Sequence, residues 1–421
     1  MFKVMGNSWA LLLGIMLLML GNGLQGTLLG VRGEIEGFST LEMSVVMSAY
    51  FVGFLGGSRM APEMIRRVGH VRVFAALASF ISAVLVLYPV LADPISWTIG
   101  RVVIGFCFSG VYVTAESWLN NSATNETRGQ TLSLYMIVQM IGIVAAQGLL
   151  LLGDPSGFVL FVIPSVLISI SFAPILLSIS PTPAFDTTKP LSLKQIMKIS
   201  PLGCVGMFLL GSVFSAQFGM AAVYGAKVGL TLPQISIFVA TFYIGAMIVQ
   251  YPVGWISDRM DRRHLILIVA TIGGLGSIIG LFWGSAFTFL LASAFVIGGT
   301  SNPLYSLLIA YTNDFLEYED MAAASAGMVF INGLGAIAGP LITGYIMGLP
   351  FIGPPGYFLF IGVLFFALSG YAAYRMTQRA APDDTAHYAP VSMSGSPMVV
   401  GVAQEFAIEL EKEEHAGNKP S

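Results

Sequence analysis

The sequence predicts an all-α integral membrane protein of twelve transmembrane helices, arranged as two six-helix pseudo-symmetric halves (6+6). Hydrophobic residues make up 56% of the chain and charged residues 10%, well below the about 25% charged residues of soluble domains. Apolar stretches of ~20 residues, enough to cross a bilayer, recur along the whole length. The first half also recurs in the second. Pro62–Arg72, PEMIRRVGHVR, lies over Gly254–His264, GWISDRMDRRH, with Arg66 on Asp258, Arg67 on Arg259 and His70 on Arg262. At the same shift Tyr50-Phe51-Val52-Gly53 lies over Phe242-Tyr243-Ile244-Gly245. One position further along, Val103-Ile104-Gly105 with Tyr112 matches Val296-Ile297-Gly298 with Tyr305.

Lys3 and the apolar run from Trp9 imitate a signal peptide. The run continues to about Leu29, past the roughly 7–15 residue apolar core of such peptides, and no small-residue cleavage site follows it, so it is the first span. The twelve spans are 8–30, 42–61, 72–91, 96–119, 130–152, 157–179, 202–226, 233–256, 264–284, 286–312, 325–348 and 356–377. Residues 1–180 form the N-terminal bundle, 181–200 a cytoplasmic linker marked by prolines and lysines, and 201–377 the C-terminal bundle. The polar tail 378–421 is expected to be disordered, apart from a candidate short helix at Val399–Glu414. The 48 glycines suit helices that approach closely or bend. Cys107 and Cys204 fall inside apolar segments, which speaks against a disulfide framework.

With the N-terminus inside, one face collects Arg59, Arg66, Arg67, Arg72, Arg128, Lys189, Lys194, Lys198, Arg259, Arg262, Arg263, Arg375 and Arg379, with Lys3, Lys412 and Lys419. The other holds only Arg32 and Lys227. Lys and Arg favour the cytoplasmic side, so both termini and the linker are expected there.

Over residues 8–377 the chain resembles the major facilitator superfamily of secondary transporters. That family carries a loop G-x-x-x-D-R/K-x-G-R-R/K between its second and third helices, repeated more loosely between the eighth and ninth. Here the second copy is the better one: Gly254, Asp258, Arg259, Arg262 and Arg263 match, and Asp261 replaces the second Gly. In the first copy Gly69 is kept, while Pro62 and Arg66 occupy the first Gly and the Asp places. Arg101 and Gly105 match the R-x-x-x-G signature of helix four. The drug-antiporter signature G-P-x-x-G-G is missing from helix five, and Gly335, Gly339 and Pro340 stand instead in helix eleven. These departures point to a bacterial branch apart from the best-studied ones.

The resemblance implies a gating role for the basic loops. Asp258 is expected to face the N-terminus of helix eleven, whose macrodipole favours a carboxylate. The acidic loop with Asp314, Glu317, Glu319 and Asp320 is expected to pair with Arg259, Arg262 and Arg263 when the cytoplasmic side closes. Glu116 is expected to do likewise with Arg66 or Arg67, and such latches would break as the halves rock. The competing reading is ordinary positive-inside charge and solvated carboxylates.

Ionisable residues within a membrane are costly, which makes Arg101, about five residues inside the outer end of helix four, the strongest site candidate. Its spacing puts it on one face with Gly105, Phe108, Tyr112 and Glu116. Helices one, four, seven and ten line the cavity in the superfamily, which groups Arg101 with Asn22 and Gln25, with Gln217 and Tyr224, and with Asn302 and Tyr305. The run Gly298-Gly299-Thr300-Ser301-Asn302-Pro303 is expected to break helix ten and turn backbone groups towards a site. The competing readings are interhelical hydrogen bonds for the amides and an Arg101 that snorkels to the outer surface.

Glu42, Asp154 and Glu116 all lie near span ends, so a central proton-carrying carboxylate is not evident, and Arg101 acting with Glu34, Glu36 or Glu42 is the alternative. One deep cation suits a neutral or singly anionic solute, since phosphate groups demand several cations. The absence of Walker, zinc-ligand, G-x-S-x-G and basic nucleic-acid patterns predicts no catalytic residues, cofactor, metal or nucleic acid, hence no enzyme. The expectation is a monomeric transporter of a small organic solute in the bacterial cytoplasmic membrane, with proton-linked efflux as its finer form. The rival is a transporter-like sensor or scaffold that signals through its tail, where FAIELEKEEHA from Phe406 would dock a partner.

Overall fold

A computed structural model describes residues 2–122, 125–173 and 192–379, together with Tyr388, Val391, Val400 and Ala403. It contains twelve apolar helices: α1 Phe2–Ile35, α2 Thr40–Val68, α3 His70–Leu87, α4 Pro94–Ser122, α5 Asn125–Leu149, α6 Val159–Ser171, α7 Pro201–Lys227, α8 Leu232–Ser257, α9 Arg262–Trp283, α10 Phe287–Asn313, α11 Tyr318–Gly348 and α12 Gly356–Gln378. Among the described residues, eleven are long and apolar enough to cross a membrane, and α6 is shorter. Within the predicted linker, Leu193–Ile199 forms a short helix that buries Ile196 beside α7.

The ends follow local chemistry. Ser39 and Glu42 form a reciprocal capping box at the start of α2, and Thr231 and Gln234 repeat it at α8. α2 outruns its predicted apolar span because Arg66 and Arg67 occupy its last turn, where cations complement the helix dipole. It stops at Gly69, whose φ of +85° supplies the left-handed turn into α3. In the second repeat Asp261 takes that place with φ of −55°, capping α9 through its side chain. The Gly-to-Asp departure therefore exchanges one way of turning a corner for another.

The duplication seen in sequence is a duplication of helix crossings. In the first half α2 crosses α4 at Gly53 and Gly105: a Cβ on Gly53 would lie 1.9 Å from the Val102 carbonyl oxygen, and one on Gly105 1.9 Å from that of Tyr50. In the second half α8 crosses α10 at the equivalent Gly245 and Gly298, where added Cβ atoms would lie 2.2 Å from the Phe295 carbonyl and 2.0 Å from that of Phe242. Backbones meet directly there, the close approach small residues allow between membrane helices. This corrects the expected break in helix ten. α10 runs unbroken from Phe287 to Asn313, and its glycines serve the α8 crossing.

The two halves touch mainly on the face away from the termini, here called the outer face. Lys227 pairs with Glu34 at 2.6 Å, Gly30 lies against Ala222, Gly344 against Ser44, and the Ser236 hydroxyl donates to the Gln147 carbonyl. The α2–α11 seam continues inward, with Ser48 donating to the Ile337 carbonyl at 2.6 Å and Arg59 stacked 4.3 Å from the Phe330 ring centre.

Gly105→Ala and Gly298→Ala should each lower the detergent melting temperature by the equivalent of roughly 1–3 kcal/mol, the usual cost of overpacking. Gly370→Ala, where an added Cβ meets nothing within 4 Å, should leave it in place.

Candidate functional site

Arg101 lies in the outer half of α4 and is only 4% exposed. Its Nη1 donates to Gln25 Oε1 at 2.9 Å; Gln25 Nε2 donates to Asn22 Oδ1 at 3.2 Å, and Asn22 Nδ2 to the Tyr112 hydroxyl at 2.9 Å. Four residues singled out from sequence thus form one chain that leaves α4, runs along a turn of α1 and returns to α4. Two further contacts come from α2, which sequence reasoning missed. Arg101 Nη2 faces Met47 Sδ at 3.7 Å, and the guanidinium sits 4.7 Å from the Tyr50 ring centre. The available signal was Gly53: it marks the α4 crossing, and Tyr50 stands one turn outward on that face. Met47 also touches the other half, since a Cβ on Gly219 would lie 3.3 Å from its own. The network therefore sits at the junction of the halves.

Among the described residues, no carboxylate pairs with Arg101, and its Nε has no partner. The three outer carboxylates considered for it are engaged elsewhere: Glu34 with Lys227, Glu36 with Arg32 at 2.6 Å, and Glu42 in the α2 cap. Nor does Arg101 snorkel, because its head is buried against α1. A hydrogen bond to a charged group contributes about 1.5–3 kcal/mol, and a desolvated cation–π contact about 2. Burying an ion costs several kcal/mol even after relaxation. The site thus holds a cation short of its counter-charge.

A second polar group lies in the C-terminal half. Gln217 on α7 accepts from the Ser301 hydroxyl at 3.0 Å, while among the described residues its Nε2 and the buried Tyr305 hydroxyl have no partner. Asn302 donates to Gln250 Oε1 on α8 at 3.1 Å, and Gln250, like Met47 and Tyr50, is a residue the sequence reading missed. Tyr224, expected to line the same cavity, makes its ring contacts elsewhere. It stacks on Tyr357 at 5.1 Å and meets Phe358 edge-on at 5.1 Å, closing an aromatic cluster near the outer end of the C-terminal bundle.

The charged residues of the inner face differ from the expected latch. Arg262, 1% exposed, pairs with the equally buried Asp314 and reaches Ser257 Oγ at 3.1 Å. Asp258 lies 3.8 Å away. All four belong to α8–α10 and their connections, within one half, so this pair braces the half and has no reason to break when the halves rock. Arg259 folds back on Trp255, donating to its carbonyl at 2.9 Å and stacking 4.2 Å from its ring centre. Arg263 binds Asp261 at 2.6 Å and the Arg379 carbonyl at 2.6 Å. Burial pushes the Asp261 carboxyl up, but hydrogen bonds from Arg263 outweigh it and hold the group below the usual carboxylate range. In the first half, Arg66 and Arg67 pair with Glu63 of their own helix on the surface. Glu116, 3% exposed, instead accepts from the Tyr135 hydroxyl on α5 at 2.7 Å. The expected Glu116 pairing is replaced because the arginines point to solvent and the carboxylate points into the bundle.

Glu317 holds the N-cap position of α11 without a side-chain cap bond, and among the described residues the partners of Asp258 lie elsewhere. Asp258 accepts the backbone N–H of Tyr388, at 3.0 Å, from the C-terminal tail. Tyr388 also lies where a side chain on Gly254 would go, its ring 2.7 Å from that Cβ position.

Comparisons with known proteins agree with this architecture. A sequence profile of the Major Facilitator Superfamily matches residues 11–227 and 203–390. The chain is 26% identical over 341 residues to the uncharacterised MFS-type transporter YcaD of Salmonella arizonae, covering 80% of this chain and 88% of that one. Among solved structures it is similar to the nucleoside transporter NupG, with TM-score 0.70, 13% identity, and coverage of 88% of this chain and 99% of that one. It is also similar to a bacterial homologue of the human lysosomal transporter Spinster, in an inward-facing and unoccupied conformation, with TM-score 0.65, 14% identity, and coverage of 95% and 97%.

Asp314→Asn leaves Arg262 buried without its counter-ion and should cost on the order of 3 kcal/mol, read as a fall in melting temperature. Glu63→Gln removes a surface pairing and should leave that temperature unchanged.

Proposed function

The chain belongs to the Major Facilitator Superfamily, and from that premise we propose that it carries a small, singly charged organic anion across the bacterial cytoplasmic membrane by alternating access. The observation that supports this reading is Arg101, a buried cation at the junction of the halves that has, among the described residues, one unused donor and no carboxylate partner. Gln25 takes one edge of the guanidinium. A carboxylate approaching the Nε–Nη2 edge would take two parallel hydrogen bonds and displace only the weak Met47 sulfur contact. The unpartnered amide of Gln217 and hydroxyl of Tyr305 supply donors on the opposite half. The nucleosides named for NupG are a property of that protein; a neutral solute would leave Arg101 unbalanced.

In its finer form the proposal is proton-linked efflux. Glu116, buried and hydrogen-bonded to Tyr135, is the carboxylate we assign to the coupling proton. The direction rests on what the family resemblance implies. We further propose a monomer with both termini cytoplasmic, the latter on the distribution of Lys and Arg. The transporter names carried by the relatives favour transport over the sensor reading.

Melting of the purified protein against a panel of monocarboxylates and neutral solutes tests the site. At a concentration 100 times its dissociation constant, a binding monoanion should stabilise the parent by about 2.7 kcal/mol, and Arg101→Ala should lose that shift. Neutral solutes that stabilise parent and variant alike would sink the anion assignment. In proteoliposomes, Glu116→Gln should abolish the solute-driven change of a trapped pH dye while leaving the melting shift; an unchanged dye signal would remove Glu116 from coupling.

A further inference from the structure

Of the described tail residues beyond Arg379, three are buried and Tyr388 is half-buried. Val391, Val400 and Ala403 are buried, Val391 only 2% exposed. Tyr388 and Val391 make five specific contacts with α8, α10 and the turn after α8. Gln250 Nε2 donates to the Tyr388 hydroxyl at 2.7 Å; the Tyr388 N–H donates to Asp258 Oδ1 at 3.0 Å; the Tyr388 ring covers Gly254. Beside Gln250, whose Nε2 also donates to Ser306 Oγ at 3.2 Å, the Val391 N–H donates to that oxygen at 3.0 Å, and the hydroxyl donates back to the Val391 carbonyl at 3.3 Å. Two backbone donors and a side-chain hydroxyl are matched by a carboxylate, a hydroxyl and an amide, and the one residue that must lack a side chain is a glycine. That is the chemistry of a peptide-binding groove.

Its position matters. Gln250 is the same residue that holds Asn302, so the tail tyrosine terminates a polar chain running up α10 towards Ser301 and Gln217. Gly254 and Asp258 are the residues that match the superfamily's loop signature. We propose that Gln250, Gly254, Asp258 and Ser306 form a groove for the chain's own C-terminal tail, and that the tail seated there keeps the inner face from closing until it is released. The tail then acts as an in-built brake on the cycle. This proposal is independent of which solute is carried.

The contacts joining the halves lie on the outer side and along the α2–α11 seam, while Tyr388 and Val391 occupy the inner parts of α8 and α10. Seated there, Tyr388 and Val391 lie on α8 and α10, whose inner ends would have to move for closure. Docking also engages the signature carboxylate, whose Oδ1 accepts the Tyr388 N–H and lies 3.8 Å from Arg262.

The test is the distance between the inner loops of the two halves. Spin labels at Val68→Cys and His264→Cys, both exposed, are introduced in a background with Cys107→Ala and Cys204→Ala. Pulsed electron–electron resonance is then recorded in lipid nanodiscs. The full-length chain should give one long-distance population. Tyr388→Ala, Gly254→Leu, and truncation after Arg379 should each add a shorter-distance population of similar size. In the Tyr388→Ala background, Gly254→Leu should add nothing further, because its only target is already gone. The same distribution in all variants would overturn the proposal, as would a further shift of the double variant. If the truncated chain does not fold, the two point variants decide the question.

Discussion

The structure turns on one guanidinium, that of Arg101, buried with no counter-charge among the described residues. A membrane interior offers Arg101 no water, and the protein gives it an amide, an aromatic face and a sulfur, which together fall short of a carboxylate. The surroundings follow from that deficit. Gln25 has to turn its oxygen towards Arg101, which turns its amide nitrogen towards Asn22, which in turn directs Asn22 at Tyr112. A chain of side-chain dipoles is thus oriented by one charge. An anion arriving at the free edge would find those dipoles already set, and would pay little to reorganise them.

The frame that holds this arrangement is built from backbone contacts. Gly53 and Gly105 bring α2 and α4 close enough for Tyr50 and Met47 to reach Arg101, and Gly245 and Gly298 repeat the crossing between α8 and α10. The repeats keep the crossing and vary the chemistry placed on it. His70, which binds Ser117 at 3.0 Å, stands where the second half has Arg262 reaching across to Asp314 and α10. The first half carries the deep cation; the second carries the strong inner brace and the groove that receives the tail.

The twelve spans were readable because apolar length is what a bilayer selects. Asn22, Gln25, Arg101 and Tyr112 were readable because polar residues in such spans are few and helical spacing fixes their faces. Depth was harder. Gln217 and Tyr224 share a face of α7 but stand seven residues, roughly 10 Å, apart along it, and only the first is level with the polar residues of α10. The Gly298–Pro303 run read as a break because glycine and proline usually punctuate helices, whereas neighbouring helices here support an unbroken α10. Charge did point to the partner of Arg262, since the acidic loop after α10 supplies Asp314, yet both ends lie in one half. Tyr388 and Val391 were hidden by the polar composition around them. Their docking depends on Gln250, Asp258 and Ser306, more than 80 residues away in sequence.

The most direct test of the central claim is charge movement on a solid-supported membrane carrying reconstituted protein, driven by a jump in a monocarboxylate that stabilises the parent. A transient current in the parent that Arg101→Ala abolishes and Arg101→Lys does not fully restore is the predicted result, since lysine offers a point charge and no planar fork. Currents of parent size in Arg101→Ala would contradict it, and would make Arg101 a structural cation with the solute seated elsewhere.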